Sequence, residues 1–191
     1  MNMGVHLLDK ILWNRISPII ENANIPTFKN NLAYKKKKSP QDILSLILDT
    51  LDIIKKHKIN NAIVMSIDFS KAFDSLDHEY IIEFLSYVGF PDRFTGFLKT
   101  RFQCTEGILK DYQTNKPPFK ITRGIPQGSA LSGFLFTLCI STLLHQIEQN
   151  KLIQGIQVDL RKIKPDLTLR LPKLGAFADD LNIIMTVTKK N

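Results

Sequence analysis

Leu174-Gly175-Ala176-Phe177-Ala178-Asp179-Asp180-Leu181-Asn182-Ile183-Ile184 is the stretch whose reading decides the fold. Two adjacent carboxylates stand between two short apolar runs. Each run is too short for a typical helix and is bounded by polar residues, so each reads as a buried strand. The simplest geometry is a hairpin with Asp179-Asp180 at or beside the turn. Successive strand side chains point to opposite faces, so the two carboxylates face one point only if a tight turn re-aims them. Two negative charges in an apolar setting need water, an opposite charge or a cation. The hard cation Mg²⁺ suits oxygen ligands. Taken alone, the pair is also explained by turn chemistry, which places Asp in hairpin turns without any catalysis. A third carboxylate elsewhere would favour the cation.

The chain around this stretch has 191 residues, within the range of one domain. Its hydrophobic share, 43%, is enough for a sizeable core. A net charge of +8 points to a polyanionic partner, nucleic acid or an anionic membrane, without choosing between them. Cys104 and Cys139 are far apart and form no metal-spaced pair, so each reads as a small buried apolar residue rather than half of a disulfide. The four histidines show no ligand spacing. The first ten residues lack the basic start and apolar run of a signal peptide. No stretch reads as long and apolar enough to span a bilayer, so an intracellular protein without a membrane partner is expected.

In chain order, Leu7, Leu8, Ile11, Leu12, Ile16, Ile19 and Ile20 have near-helical spacing and predict an amphipathic helix, broken or kinked near Pro18. Residues 21–34 are polar and loop-like. Lys35-Lys36-Lys37-Lys38 is either a solvated charge run or a phosphate-contacting patch or nuclear address. Ser39 then caps a helix, with Pro40 at its first position and Asp42 completing a capping box. Ile43, Ile47, Leu51 and Ile54 form its apolar stripe.

The stretch 62–69 is an apolar strand with Asp68 near its exit. A buried strand does not tolerate an unpartnered carboxylate, so Asp68 is the third one sought. Asp77 caps the next helix, which ends at Gly89, and Pro91 opens another carrying Phe94, Phe97, Leu98 and Phe102 as core. Residues 105–111 and 119–122 predict a hairpin. Arg123-Gly124-Ile125-Pro126-Gln127-Gly128-Ser129 is a Gly-flanked loop opening a long apolar helix over 130–149. Glycines before a helix N-terminus let a ligand approach the backbone, although an ordinary strand-to-helix turn has the same look. Residues 151–173 are poorly patterned, and Pro165 and Pro172 limit any strand there. No internal repeat or dividing linker is present.

Together these stretches resemble the reverse transcriptase domain of non-LTR (LINE-type) retrotransposons and, more distantly, group II intron reverse transcriptases. Residues 68–75, Asp-Phe-Ser-Lys-Ala-Phe-Asp-Ser, look like the family's first palm motif. Residues 123–133 look like the second, and Phe177-Ala178-Asp179-Asp180 like the third. The pair of Asp residues alone is a weak signal; three motifs in this order are a strong one. The match covers roughly residues 8–187. Two departures are plain. Gly133 stands where the family usually has Pro, and Asn31-Leu32-Ala33-Tyr34 with the lysine run replaces a segment rich in Gln, Gly, Phe and Arg.

The resemblance implies an α+β fold: a right-hand polymerase palm with a short antiparallel sheet backed by helices, plus partial fingers. It implies one partial domain, with fingers-side helices over about 1–61 and palm over about 62–191. The family's basic fingers strands, later palm motifs and thumb have no counterpart in these residues, so little activity is expected from them alone. It implies RNA-directed DNA synthesis, with an RNA template, a DNA primer and deoxynucleoside triphosphates as partners. The cofactor would be two Mg²⁺ ions, or Mn²⁺ in their place. Asp68, Asp179 and Asp180 would be the catalytic metal ligands. Phe69, Phe73, Gln127 and Gly128 would lie at the nucleotide, with Phe73 discriminating the sugar. Lys71, Arg123 and Lys35, Lys36, Lys37 and Lys38 would contact nucleic acid. An active retroelement protein would work in the nucleus. The alternatives are a non-catalytic nucleic-acid-binding remnant of a decayed or domesticated element, and an RNA-dependent RNA polymerase. Phe73 speaks against the last, since an RNA maker should not exclude a 2′-OH.

Overall fold

The computed structural model of the chain describes residues 3–22, 31–33, 37–108, 117–161 and 168–187. The elements run α1 (Met3–Asn22), α2 (Pro40–Lys56), β1 (Ala62–Ile67), α3 (Ala72–Ser75), α4 (His78–Tyr87), α5 (Asp92–Gln103), β2 (Glu106–Gly107), β3 (Phe119–Lys120), α6 (Ala130–Gln149), β4 (Gln157–Asp159), β5 (Thr168–Arg170), β6 (Leu174–Phe177) and β7 (Asp180–Thr186). Helices and small antiparallel sheets make this an α+β chain.

The central sheet has the order β1-β7-β6, antiparallel throughout. β7 earns the middle place by burial: Leu181, Asn182, Ile183 and Ile184 are all buried, so both of its faces are covered. Strand alternation divides them. Leu181 and Ile183 join Leu174, Ala176 and Leu144 against α6. Ile184 packs on the other face with Ile156, Val158 and the α2 residues Ile53 and Ile54. Ile184 is fully buried, and its truncation to Ala would cost about 2–5 kcal/mol through the cavity left behind. Gly175 lets α2 approach this sheet closely, for a Cβ there would meet Leu46 Cδ2 at 3.0 Å.

α6 is the core helix. Phe134, Leu135 and Leu138 pack with Ile81 and Leu85 of α4 and Leu98 and Phe102 of α5. Its buried hydroxyls do not disturb this packing, because Thr137 donates to Gly133 O and Ser141 to Leu138 O on the same helix. Leu131–Gln149 is apolar and long enough to cross a bilayer by composition alone, contrary to the expectation that no stretch would be. Yet 67% of it is buried inside the protein, which is what a core helix requires. At its far end Lys173 Nζ donates to Glu148 O (2.7 Å) and Asn150 O (3.1 Å), placing a cation where the helix dipole favours one.

Several sequence expectations need correction. α1 runs through Pro18 unbroken. Ile16 and Ile20, on either side of Pro18, both pack on the main core, and that packing offsets the lost backbone bond. Leu7, Leu8, Ile11 and Ile19 are exposed instead. In α2 the buried residues are Ile43 and Thr50, and Leu51 is 44% exposed. Eight residues at about 100° each place Leu51 roughly 80° away from Ile43, so a strict four-residue spacing walks off the face. Cys104 is exposed and only Cys139 is buried. Residues 157–159 and 168–170 form a hairpin, where strands of three residues are too short for an alternation to be read.

The capping assignments hold. The Ser39 backbone N–H donates to Asp42 Oδ2 at 2.7 Å. Asp77 accepts from the N–H groups of Glu79 (2.9 Å) and Tyr80 (3.3 Å), and Gly89 ends α4 with φ at +90°. The hairpin β2–β3 also forms. Its turn lies outside the described residues.

Candidate active site

All three predicted carboxylates lie at one end of the central sheet. Asp68 directly follows β1, Asp179 occupies the turn between β6 and β7, and Asp180 begins β7. Asp68 and Asp180 are exposed, and Asp179 is half-buried. The β1–β7 register ends with Ile67 opposite Leu181. Continued by one place, it sets Asp68 opposite Asp180. The donor chemistry, three carboxylates on neighbouring backbone positions, fits a hard divalent cation. Among the described residues, however, no three His, Cys, Asp or Glu side chains are gathered as a ligand cluster. The backbone brings these donors to neighbouring positions at one end of the sheet. Two cavities lie elsewhere. One of about 510 Å³ is lined by His78, Lys99, Phe102 and Lys120, and one of about 1210 Å³ lies beside α2 and the end of α6.

Two neutral partners reach this end of the sheet. Ser66 Oγ donates to Asn182 Oδ1 at 2.6 Å, two residues inside Asp68 and Asp180 along their strands. Asn31, fully buried, bonds to both backbone polar groups of Ala178. Neither partner carries a sequence signal. An amide or a hydroxyl shows no charge or spacing, and in the sequence Asn31 stands out only as a departure from the family pattern.

The second motif folds against the first. Ile125 N–H donates to Phe73 O (3.0 Å) and Gly124 N–H to Leu76 O (2.8 Å), while Arg123 bridges Asp77. Gly124 is required here. Its φ is +86°, and a Cβ would stand 3.0 Å from the Asp74 backbone. His78 Nε2–H donates to Gly124 O at 2.7 Å, with its ring stacked on Phe102 at 4.1 Å. Phe73 is half-buried, stacked on Phe136 of α6 with centroids 4.7 Å apart. Phe69 is half-buried between the two main core clusters. Gln127 and Gly128 form an exposed turn, and a Cβ on Gly128 would meet nothing within 4 Å.

The helix end beyond this loop already has its anion. Ser129, the N-cap of α6, donates Oγ to Asp9 Oδ2 at 2.6 Å. Arg101 closes on the same carboxylate with both terminal nitrogens, Nη2 at 3.0 Å from Oδ2. This buried cluster ties α1, α5 and the Gly-flanked loop together.

The basic candidates scatter. Lys71 is exposed, in a left-handed backbone conformation (φ +52°) that opens α3. Arg123 lies 3.4 Å from Asp77 in an exposed pair. Lys38 pairs with Asp42 at 3.7 Å, Lys37 is exposed, and Lys35 and Lys36 lie outside the described residues.

The sequence profile of the family described as "Reverse transcriptase (RNA-dependent DNA polymerase)" matches residues 1–190. The chain belongs to the reverse transcriptase family. It is 32% identical over 143 residues to the transposon TX1 uncharacterized 149 kDa protein of Xenopus laevis, covering 75% of this chain and 10% of that protein. It is 27% identical over 134 residues to the Pol polyprotein of the type-2 retrotransposable element R2DM of Drosophila melanogaster, covering 69% and 12%. It is 30% identical over 143 residues to the Pol polyprotein of a type-1 element R2 of Popillia japonica, covering 73% and 18%. These reverse transcriptase relatives come from non-LTR retrotransposons, and the chain spans less than a fifth of each one's length.

Proposed function

We propose that this reverse transcriptase segment serves RNA-directed DNA synthesis for a non-LTR retroelement, adding deoxynucleotides to a primer 3′ end along an RNA template. The observation that carries the reading is the convergence of three motif segments. Residues 68–77 are joined through β1 to the Asp179-Asp180 hairpin, and through Phe73 and Leu76 to the Gly-flanked loop. Residues 62–191 would be palm and 1–61 fingers-side. RNA, DNA and deoxynucleoside triphosphates would be its partners, and the nucleus its place of work.

Asp68, Asp179 and Asp180 would hold two Mg²⁺ ions or Mn²⁺. When bound, such ions neutralise charge on the attacking and leaving oxygens of phosphoryl transfer. Phe73, braced on Phe136, would present its ring edge to the sugar and exclude a 2′-OH. Gln127 and Gly128 would lie against the nucleotide, where the absence of a side chain on Gly128 leaves its backbone approachable. Phe69, half-buried against both core clusters, would also lie at the nucleotide. Lys71, Arg123 and the Lys35–Lys38 run would contact phosphates. The test is primer extension on an RNA template by a polypeptide carrying this chain. Asp68→Asn and Asp179→Asn should each abolish extension with the fold intact by circular dichroism, and extension surviving either change rejects the assignment.

One observation favours a second reading, a non-catalytic nucleic-acid-binding remnant: the three carboxylates form no ligand cluster. Hybrid binding that is indifferent to divalent cations and to Asp179→Asn, without any extension, would select it.

A further inference from the structure

Ala178 stands immediately before Asp179 and has φ at +53°, a conformation that residues with a Cβ rarely adopt. Such backbone persists where its surroundings over-determine it. Part of the cause is the turn itself, for Phe177 pairs with Asp180 and a two-residue hairpin loop takes positive φ at its first position. With no glycine there, the strain in Ala178 is met by one side chain. Asn31 Nδ2 donates to Ala178 O at 3.1 Å, and Asn31 Oδ1 accepts from Ala178 N–H at 3.2 Å. The same Oδ1 accepts from Ala33 N–H at 3.0 Å. A carboxamide presents a donor and an acceptor side by side, so it can grip both polar groups of one residue. Asn31 is itself held on the outer edge of β6 by a parallel bridge to Ala176, with Leu32 N–H donating to Ala176 O at 2.8 Å. Its side chain is fully buried, so these bonds have no competition from water.

We propose that Asn31 is a positioning residue for the Asp179 carboxylate. By holding Ala178 in the left-handed conformation, it sets the direction in which Asp179 leaves the β6–β7 turn, and with it the affinity of this sheet end for a divalent cation. The inference rests on the metal-binding role proposed for Asp68 and Asp179. A purely structural Asn31 would brace the sheet edge and affect stability alone.

Mn²⁺ is the probe. Its binding to this chain is measured by electron paramagnetic resonance, and each protein is also melted to follow its fold. Asn31→Ala should weaken Mn²⁺ binding about tenfold, as loss of a residue supporting a metal ligand does. Adding Ala178→Gly to Asn31→Ala should recover most of that loss, because Gly adopts positive φ freely. Asn31→Asp serves if the Ala variant does not fold. It keeps the size and the accepting oxygen but cannot donate to Ala178 O when ionised. Its added negative charge alone would tighten cation binding, so weaker or unchanged binding supports the clasp, and tighter binding overturns it. Asp179→Asn separates the two proposals. If it loses Mn²⁺ while Asn31→Ala binds like the wild type, the metal reading stands and the positioning role is wrong. If Asp179→Asn binds like the wild type, the metal reading fails and the role of Asn31 falls with it.

Discussion

Ser129 donates its hydroxyl to Asp9 across 120 positions of chain, and Arg101 clamps the same carboxylate from a third helix. The Asp9 side chain is 2% exposed and that of Arg101 17%. The two partners are therefore not equivalent. Arg101→Met strands a buried charge and should cost about 3–5 kcal/mol. Asp9→Asn leaves a neutral amide that still accepts hydrogen bonds, and leaves Arg101 partly in water, so it should cost less. Urea denaturation of the two variants checks the order; Asp9→Asn proving the more damaging would contradict it.

Acid should weaken the α4 cap. The Asp77 carboxyl is held below its ordinary value of 3.8, first by the Tyr80 backbone N–H, then by Glu79 N–H and the Arg123 guanidinium. A depressed folded value means the contribution is complete above 3.8 and is lost as pH falls through the folded value. Asp77→Asn still caps the helix but does not titrate, so it should remove that part of the acid-side loss while changing neutral stability little. Melting temperatures taken across the acid range measure it. An unchanged acid slope would place the loss in other carboxylates.

What was legible in the residues was whatever repeats or caps. The long apolar run of α6, the Asp77 cap and the Gly89 stop have local signatures, and the structure follows them. The hairpin around Asp179-Asp180 was legible from two short apolar runs. The clasp by Asn31 was not, because a single neutral amide at a distant position has no periodicity to betray it. The cluster of Asp9, Arg101 and Ser129 was hidden for a related reason. Its charges sit on the faces of otherwise amphipathic helices, where solvation is the ordinary reading. The α2 stripe failed on arithmetic, since four-residue steps drift away from a 3.6-residue turn.

The two thiols should differ sharply. Burial pushes the Cys139 thiol up to about 12, while Cys104 is exposed. Because the thiolate is the reactive form, a neutral disulfide reagent should label Cys104 in the folded chain and reach Cys139 only after denaturation. Rapid labelling of both thiols in the native state would mean that the α6 face around Cys139 opens.

Phe73→Val tests the sugar gate. Its ring is only half-buried, and its stack on Phe136 fixes its plane. In a polypeptide that extends primers, the smaller side chain should raise ribonucleotide incorporation relative to deoxynucleotide. The loss of ring contact should also lower stability modestly, by less than the about 3–5 kcal/mol of a fully buried Phe→Ala change. Unchanged sugar discrimination with lowered stability would make Phe73 a packing residue alone.

The pairing of β1 with β7 has a consequence for the order of assembly. Ser66 and Asn182, which meet across these strands, are 116 positions apart. Helices α4 and α5 are neighbours in the chain and share one core cluster with α6, so they can pack on it as soon as it is synthesised. β1 must wait unpaired, its backbone groups bonded only to water, until β7 has been made. Closing so long a loop carries an entropic cost that only the finished sheet repays. During synthesis, therefore, the helical half matures first, and Asp68 gains its neighbours at Asp179 and Asp180 last.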